Sequence, residues 1–113
     1  QQVEILNATT GWSYSIHEVY ELGQRIATLG RIFNMREGMS AADDVMPKRM
    51  FQPTPTGGLK DGGIDKDKMD AAVKTFYGMM GWDEVTGVPT NGKLSELNIT
   101  WAAEHIPAAA AAG

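Results

Sequence analysis

Ser15–Gly38 reads SIHEVYELGQRIATLGRIFNMREG and holds a helix start, a periodic body and a stop. Ser15 followed by Glu18 is a capping box: the serine oxygen takes an N–H of the first turn, and the glutamate takes the N–H of the serine. Ile16, Val19, Leu22, Ile26, Leu29 and Phe33 then recur at steps of three and four, which sets them on one stripe of a helix. Gly38 supplies the stop, because a left-handed residue costs glycine little. The spacing predicts a helix from Ile16 to about Glu37, with that stripe against a core. Gly23 and Gly30 inside it each cost about 1 kcal/mol against alanine. They lie seven apart and share a face, so a close helix–helix contact is expected there.

Upstream, Val3 to Asn7 reads as the end of a helix without its beginning, broken at Thr9-Thr10-Gly11. Downstream, residues 39–64 carry Pro53, Pro55, Gly57, Gly58, Gly62 and Gly63, which forbid long regular structure. Ser40 to Asp44 can form one capped turn, and Met46, Met50 and Phe51 can pin the loop to the core. Asp65 caps a second helix, Lys66–Met80, with Met69, Val73, Phe76, Tyr77 and Met80 on one stripe and Gly81 as its stop. Trp82-Asp83 opens a turn that runs through Gly87-Val88-Pro89. Thr90 caps a short helix carrying Leu94 and Leu97, with Asn98 as its stop. No alternating strand pattern of useful length occurs. The expected fold is all-α: a small orthogonal helical domain with two main helices, short helices and a long irregular loop. It spans residues 1–101, with 102–113 a flexible alanine-rich tail.

A chain of 113 residues suits one small domain and one modest core. The apolar fraction of 42% lies in the globular range. A formal charge of -4 argues against a nucleic-acid binder, which needs a basic stripe, and against docking on anionic lipid. The sequence has no cysteine, so disulfides, thiol nucleophiles and cysteine-ligated clusters do not arise within it. No leader-like stretch opens the chain and no apolar run spans a bilayer. The default compartment is therefore the cytoplasm.

The residues that could carry chemistry read more simply as structure. His17 and His105, the two histidines, are not grouped with carboxylates at metal-ligand spacing. The acidic stretch Asp61–Asp70 fails as a calcium loop. From Asp65 it places Met69, Asp70 and Phe76 where a ligand, a glycine and a glutamate are needed. Gly11-Trp12-Ser13-Tyr14-Ser15 lacks the closing glycine of a nucleophile elbow. Gly57-Gly58 and Gly62-Gly63 are loop punctuation. Arg25 and Arg36 stand eleven apart on one helix face, and with Asp43-Asp44 nearby they can form ion pairs that tie the loop to the long helix. The seven methionines fill irregular gaps in a core.

Several short motifs resemble, in order and spacing over residues 3–99, the C-terminal region of the tungsten-containing aldehyde ferredoxin oxidoreductase family. They are Leu6-Asn7-Ala8-Thr9-Thr10-Gly11-Trp12, Arg25-Ile26, and Arg31-Ile32-Phe33-Asn34-Met35-Arg36-Glu37-Gly38. Asp43-Asp44 with Pro47-Lys48-Arg49, Gly81-Trp82-Asp83 with Gly87-Val88-Pro89-Thr90, and Lys93-Leu94 with Glu96-Leu97 complete the set. Val45, Met46, Met50, Gly78 and Met80 depart from the family pattern and mark a divergent branch. The resemblance implies a parent enzyme that uses a tungstopterin and a 4Fe-4S cluster to oxidise aldehydes to carboxylic acids, with electrons passed to ferredoxin. It places the ligands of both groups upstream of the matched segment. No catalytic, cofactor-binding or metal residue is therefore expected here, and the segment's role is structural, packed against the rest of the parent subunit. A free-standing helical interaction module is the alternative. If Val3, Ile5 and Leu6 have lost neighbours, either self-association or low stability as a monomer is expected.

Overall fold

The computed structural model describes residues 1–108. Its helices are α1 (Gln2–Thr10), α2 (Ile16–Arg36), α3 (Lys66–Met80) and α4 (Asn91–Glu96). Short 3-10 turns occupy Ala41–Asp43, Lys48–Phe51 and Thr100–His105. Among the described residues the only extended pairing is one antiparallel bridge, Trp82 to Pro89. The fold is all-α, with two main helices and a long irregular loop between them.

Local chemistry accounts for each boundary. The Ser15–Glu18 capping box is formed in both directions: the Glu18 N–H donates to Ser15 Oγ at 3.2 Å, and the Ser15 N–H donates to Glu18 Oε2 at 2.7 Å. At the other end Gly38 adopts φ 100°. The N–H groups of Gly38 and Met39 close back on the carbonyls of Met35 and Asn34, satisfying carbonyls that a helix end leaves free. Asp65 accepts the Lys68 N–H at 3.0 Å, and Thr90 accepts the Lys93 N–H at 3.2 Å. Asn98, with φ 55°, turns the chain after α4. Asn7 clasps the turn between α1 and α2: its amide donates to the Tyr14 carbonyl at 2.8 Å and its oxygen accepts the Tyr14 N–H at 2.9 Å.

The core lies under the C-terminal half of α2. Ile32, Leu94, Leu97, Ile99 and Ala102 form it, with Leu29, Ala103 and Ile106 packed against them. The long loop is held by the Ile64 N–H to the Met50 carbonyl at 2.8 Å, with Met46, Met50 and Phe51 half-buried.

Three expectations are corrected. The stripe of α2 that faces inward is Thr28, Arg31, Ile32 and Met35, whereas Ile16, Ile26 and Phe33 remain 63%, 63% and 55% exposed. The periodicity is right in its step, and Leu29 of the expected stripe packs on the core with Val19 and Leu22 half-buried, but the buried face centres on Thr28, Arg31, Ile32 and Met35. α4 and the last 3-10 turn pack against Ile32 and Leu29, while Arg31 and Thr28 meet Asp44, Tyr77, Trp82 and Gly87. Second, no close contact forms at Gly23 or Gly30; a methyl built on either meets no atom within 4 Å. Third, packing does not stop at Trp101: Ala102 is fully buried, the 3-10 turn continues to His105, and Ile106 packs on the core. Residues 109–113 of the expected tail lie outside the described residues.

The chain is open in shape. Its radius of gyration is 17.8 Å, with extents of 50 × 41 × 21 Å, where a compact domain of this length has a radius of about 13 Å. α1 and the start of α2 extend away from the core.

Candidate functional site

Arg31 is the most connected polar residue of the interior. It is 7% exposed and projects from the inward face of α2 toward three other segments. Its Nη1 lies 2.6 Å from Asp44 Oδ2, in the loop after α2. Its Nε donates to the Gly87 carbonyl at 3.1 Å. Its Nη2 donates to the Tyr77 hydroxyl of α3 at 3.4 Å. The guanidinium also lies over the rings of Tyr77 and Trp82, 5.4 and 5.5 Å from their centroids, where a cation is attracted by the aromatic face. The Tyr77 hydroxyl in turn donates to the Asp44 carboxylate. Thr28, one turn before Arg31, accepts from Trp82 Nε1 at 3.4 Å.

The turn that carries Gly87 is built by Asp83. Its Oδ1 accepts the N–H groups of Val85 and Thr86 at 3.0 and 2.7 Å and the Thr86 hydroxyl at 2.9 Å. The Thr86 N–H, followed by the other two donors, holds the Asp83 carboxyl below its usual range. Two backbone bonds, Gly87 N–H to the Asp83 carbonyl and Asp83 N–H to the Val88 carbonyl, both 2.8 Å, close the loop. Gly87 has φ 65°, and a methyl there would stand 2.4 Å from Arg31 Nη2 and 2.8 Å from the Tyr77 ring. Glycine is required at this point for both reasons.

Two further cations are tied down beside the core. Lys93, 8% exposed, donates to Gln24 Oε1 at 2.8 Å and to Glu96 Oε1 at 3.0 Å, with its stem laid over Gly81. Arg25 donates to the Leu97 carbonyl at the end of α4 at 2.8 Å and pairs with Glu21 at 3.0 Å. The expected ion pair between loop and long helix therefore exists, but Arg31 makes it. Arg25 instead caps α4, Arg36 pairs with its neighbour Glu37 at 3.0 Å, and Asp43 caps Ser40.

The arrangement binds four segments together through Arg31, Asp44, Tyr77 and Gly87. Burial, and then the hydrogen bond to Asp44, push the Tyr77 phenol up, so it stays neutral. The Asp44 charge is met by Arg31, and no buried side-chain polar atom among the described residues lacks a partner. His17 is exposed, and His105 stands beside Glu104 and Trp101; nothing brings the two histidines together. Asp65 caps α3 and Asp70 pairs with Lys66. Among the described residues no three His, Cys, Asp or Glu side chains converge as metal ligands do. No described helix is long and apolar enough to cross a membrane. The sequence signal for the Arg31 hub was present but faint: an arginine between Thr28 and Met35 on one face, an acidic pair after the helix, and a glycine in the Asp83 turn.

Residues 1–99 match the family profile described as aldehyde ferredoxin oxidoreductase, domains 2 & 3. The chain is 34% identical over 98 residues to the tungsten-containing aldehyde ferredoxin oxidoreductase of Pyrococcus furiosus, covering 85% of this chain and 16% of that protein. It is 33% identical, with the same coverage, to the protein of the same name from Thermococcus kodakarensis. It is 32% identical over 103 residues to the aliphatic sulfonate oxidoreductase WOR-like subunit of Pyrococcus furiosus, covering 86% of this chain and 16% of that subunit. The chain thus spans 16% of the length of these relatives.

Proposed function

The chain belongs to the aldehyde ferredoxin oxidoreductase family, and on that premise we propose that it serves as a non-catalytic helical region of a tungsten-dependent oxidoreductase. In this reading the parent polypeptide oxidises an aldehyde to a carboxylic acid and passes the electrons to ferredoxin. The observation that carries it is the family match over residues 1–99 on a segment whose buried polar groups are spent on one another.

The residues present do not suit either implied cofactor. A 4Fe-4S cluster requires thiolates, and the sequence has no cysteine. A pterin would need free polar groups to hold it, and the half-buried acid Asp44 is already taken by Arg31 and Tyr77. In this reading tungstopterin, cluster and the ferredoxin contact are assigned to other parts of the parent. Relatives whose names carry aldehyde and sulfonate chemistry match this segment almost equally, at 34% and 32% identity. That supports a scaffold role here, with substrate choice made elsewhere. The open shape weighs against the alternative of a free-standing interaction module, because an independent domain of this length closes to a smaller radius.

The test is elemental analysis with an activity assay on two preparations: the 113-residue chain and a family-length polypeptide carrying it. The first should hold no stoichiometric tungsten or iron after chelation and oxidise no aldehyde; the second should retain both metals and oxidise aldehyde. Chelator-resistant stoichiometric metal in the short chain would overturn the reading.

A further inference from the structure

α2 has a second face that no described residue covers. Ile16, Tyr20, Gly23, Ile26, Gly30 and Phe33 fall within roughly 140° of one side of a helix with 3.6 residues per turn. The four large side chains are more than half exposed, and both glycines stand open. No charged residue lies within that sector. Arg36 borders it, stacked over the Phe33 ring at 5.0 Å. The face continues onto α1, where Val3 and Leu6 join Ile16 and Tyr20 around a concavity of 620 Å³.

Three observations say what covers it. The relatives extend far beyond the 16% of their length matched here, so a polypeptide of this family has ample further chain to lay against it. The radius of gyration, 17.8 Å, exceeds that of a closed domain, and α1 buries none of its residues, as an arm packed against other structure would. The face carries no charged residue of α2 and one polar one, Asn34, near its C-terminal end, which suits an apolar helix and not an acidic or basic partner. The glycines let a helix backbone approach closely between the flanking Ile26 and Phe33 side chains.

We propose that this face of α2, with the concavity beside α1, seats an apolar helical surface from the remaining part of an aldehyde ferredoxin oxidoreductase polypeptide. The proposal rests on the reading that the chain works as one region of such a polypeptide. A contact between domains of one chain buries about 600–1,500 Å².

Hydroxyl-radical footprinting read by mass spectrometry tests it on the 113-residue chain and on the family-length polypeptide carrying it. Tyr20, Ile26 and Phe33 should label freely in the short chain and several-fold more slowly in the long one, while Val85, equally exposed but on the Asp83 turn, stays unchanged. Equal labelling of the three residues in both preparations overturns the proposal. So does protection that already appears in the short chain and grows with its concentration, since a second copy is then the occupant. A second measurement uses Gly23→Leu with Gly30→Leu. Thermal melting of the short chain should rise, because leucine favours the helix and both positions open on free space at Cβ, and that of the long polypeptide should fall. A rise in both overturns the assignment of the face. Loss of the family reading shows differently: a long polypeptide without tungsten or cluster would remove the function proposed above and leave the footprint standing.

Discussion

Arg31 concentrates at one residue what holds α2, the loop and α3 together. A guanidinium offers planar donors that can serve a carboxylate, a carbonyl and a hydroxyl at once, and it stacks on aromatic rings. An ammonium is a point charge and cannot serve all of these partners. Arg31→Met should therefore cost about 3 kcal/mol, the low end for a broken buried ion pair, because Asp44 keeps one-fifth of its side-chain surface in water. Arg31→Lys should recover part of that and remain about 1–2 kcal/mol below the parent, since the charge survives and the charge-assisted bonds do not. Urea denaturation of the three proteins measures this; a lysine variant equal to the parent would show that only charge matters. Tyr77 adds a pH dependence. Its phenol is raised by burial first and by Asp44 second, so the folded state favours the neutral form. The resulting stability is complete below the unfolded tyrosine value of about 10 and is lost as pH rises through the folded value. The parent should lose stability above about pH 10 more steeply than Tyr77→Phe, which has no phenol at that site to ionise. Melting curves from neutral to alkaline pH compare the two slopes, and identical slopes would contradict the assignment.

Glycines that share a left-handed backbone differ in what surrounds them, and this separates two costs within the elements. Gly11, after α1, has φ 75° and open space around it; Gly87, in the Asp83 turn, has φ 65° and Arg31 and Tyr77 against it. Gly11→Ala should cost about 1 kcal/mol, the left-handed penalty alone. Gly87→Ala adds a methyl where no flexible space exists and should cost about 3 kcal/mol, with the Arg31 contacts displaced. Equal losses in chemical denaturation would mean that the packing around Gly87 yields easily. The same contrast explains what could be read from sequence. Capping boxes, helix stops and the step of the apolar repeat are local, and Ser15, Asp65, Thr90, Gly38 and Gly81 act where local rules place them. The phase of α2 is not local. Ile26 and Phe33 score as core residues on any hydrophobic scale, yet Leu94 and Leu97 of α4 cluster with Ile32. Nothing near residue 26 records where residues 94–106 will lie. The Arg31 hub escaped for a related reason: its partners lie 13, 46 and 56 positions away, and an arginine on a helix is normally read as solvated. Arg25 and Arg36 share a face in sequence, as expected, but the acid of the loop meets Arg31 instead.

At the scale of the molecule, the open shape and the uncovered apolar residues bear on stability. A domain is stable by only about 5–15 kcal/mol, and each large apolar side chain left in water forgoes about 1.5–3 kcal/mol of burial. Ile5, Ile16, Tyr20, Ile26 and Phe33 are all more than half exposed on α1 and α2, while the core cluster holds five buried residues at the other end of α2. The isolated chain should therefore unfold cooperatively only around that core, with α1 and the first turns of α2 opening at lower free energy, as elements with few buried contacts do. Amide hydrogen exchange measures this directly. Protection should be lowest through Gln2–Thr10 and the first turns after Ile16, and highest at Ile32, Leu94 and Ala102. Small-angle scattering of the dilute chain should give a radius near 17.8 Å. Its urea m-value should lie below that of a compact domain of equal length, because less surface becomes exposed on unfolding. A scattering radius near 13 Å, with uniform protection from α1 to α4, would show instead that the arm folds back onto its own core. The exposed face of α2 would then be satisfied within the chain.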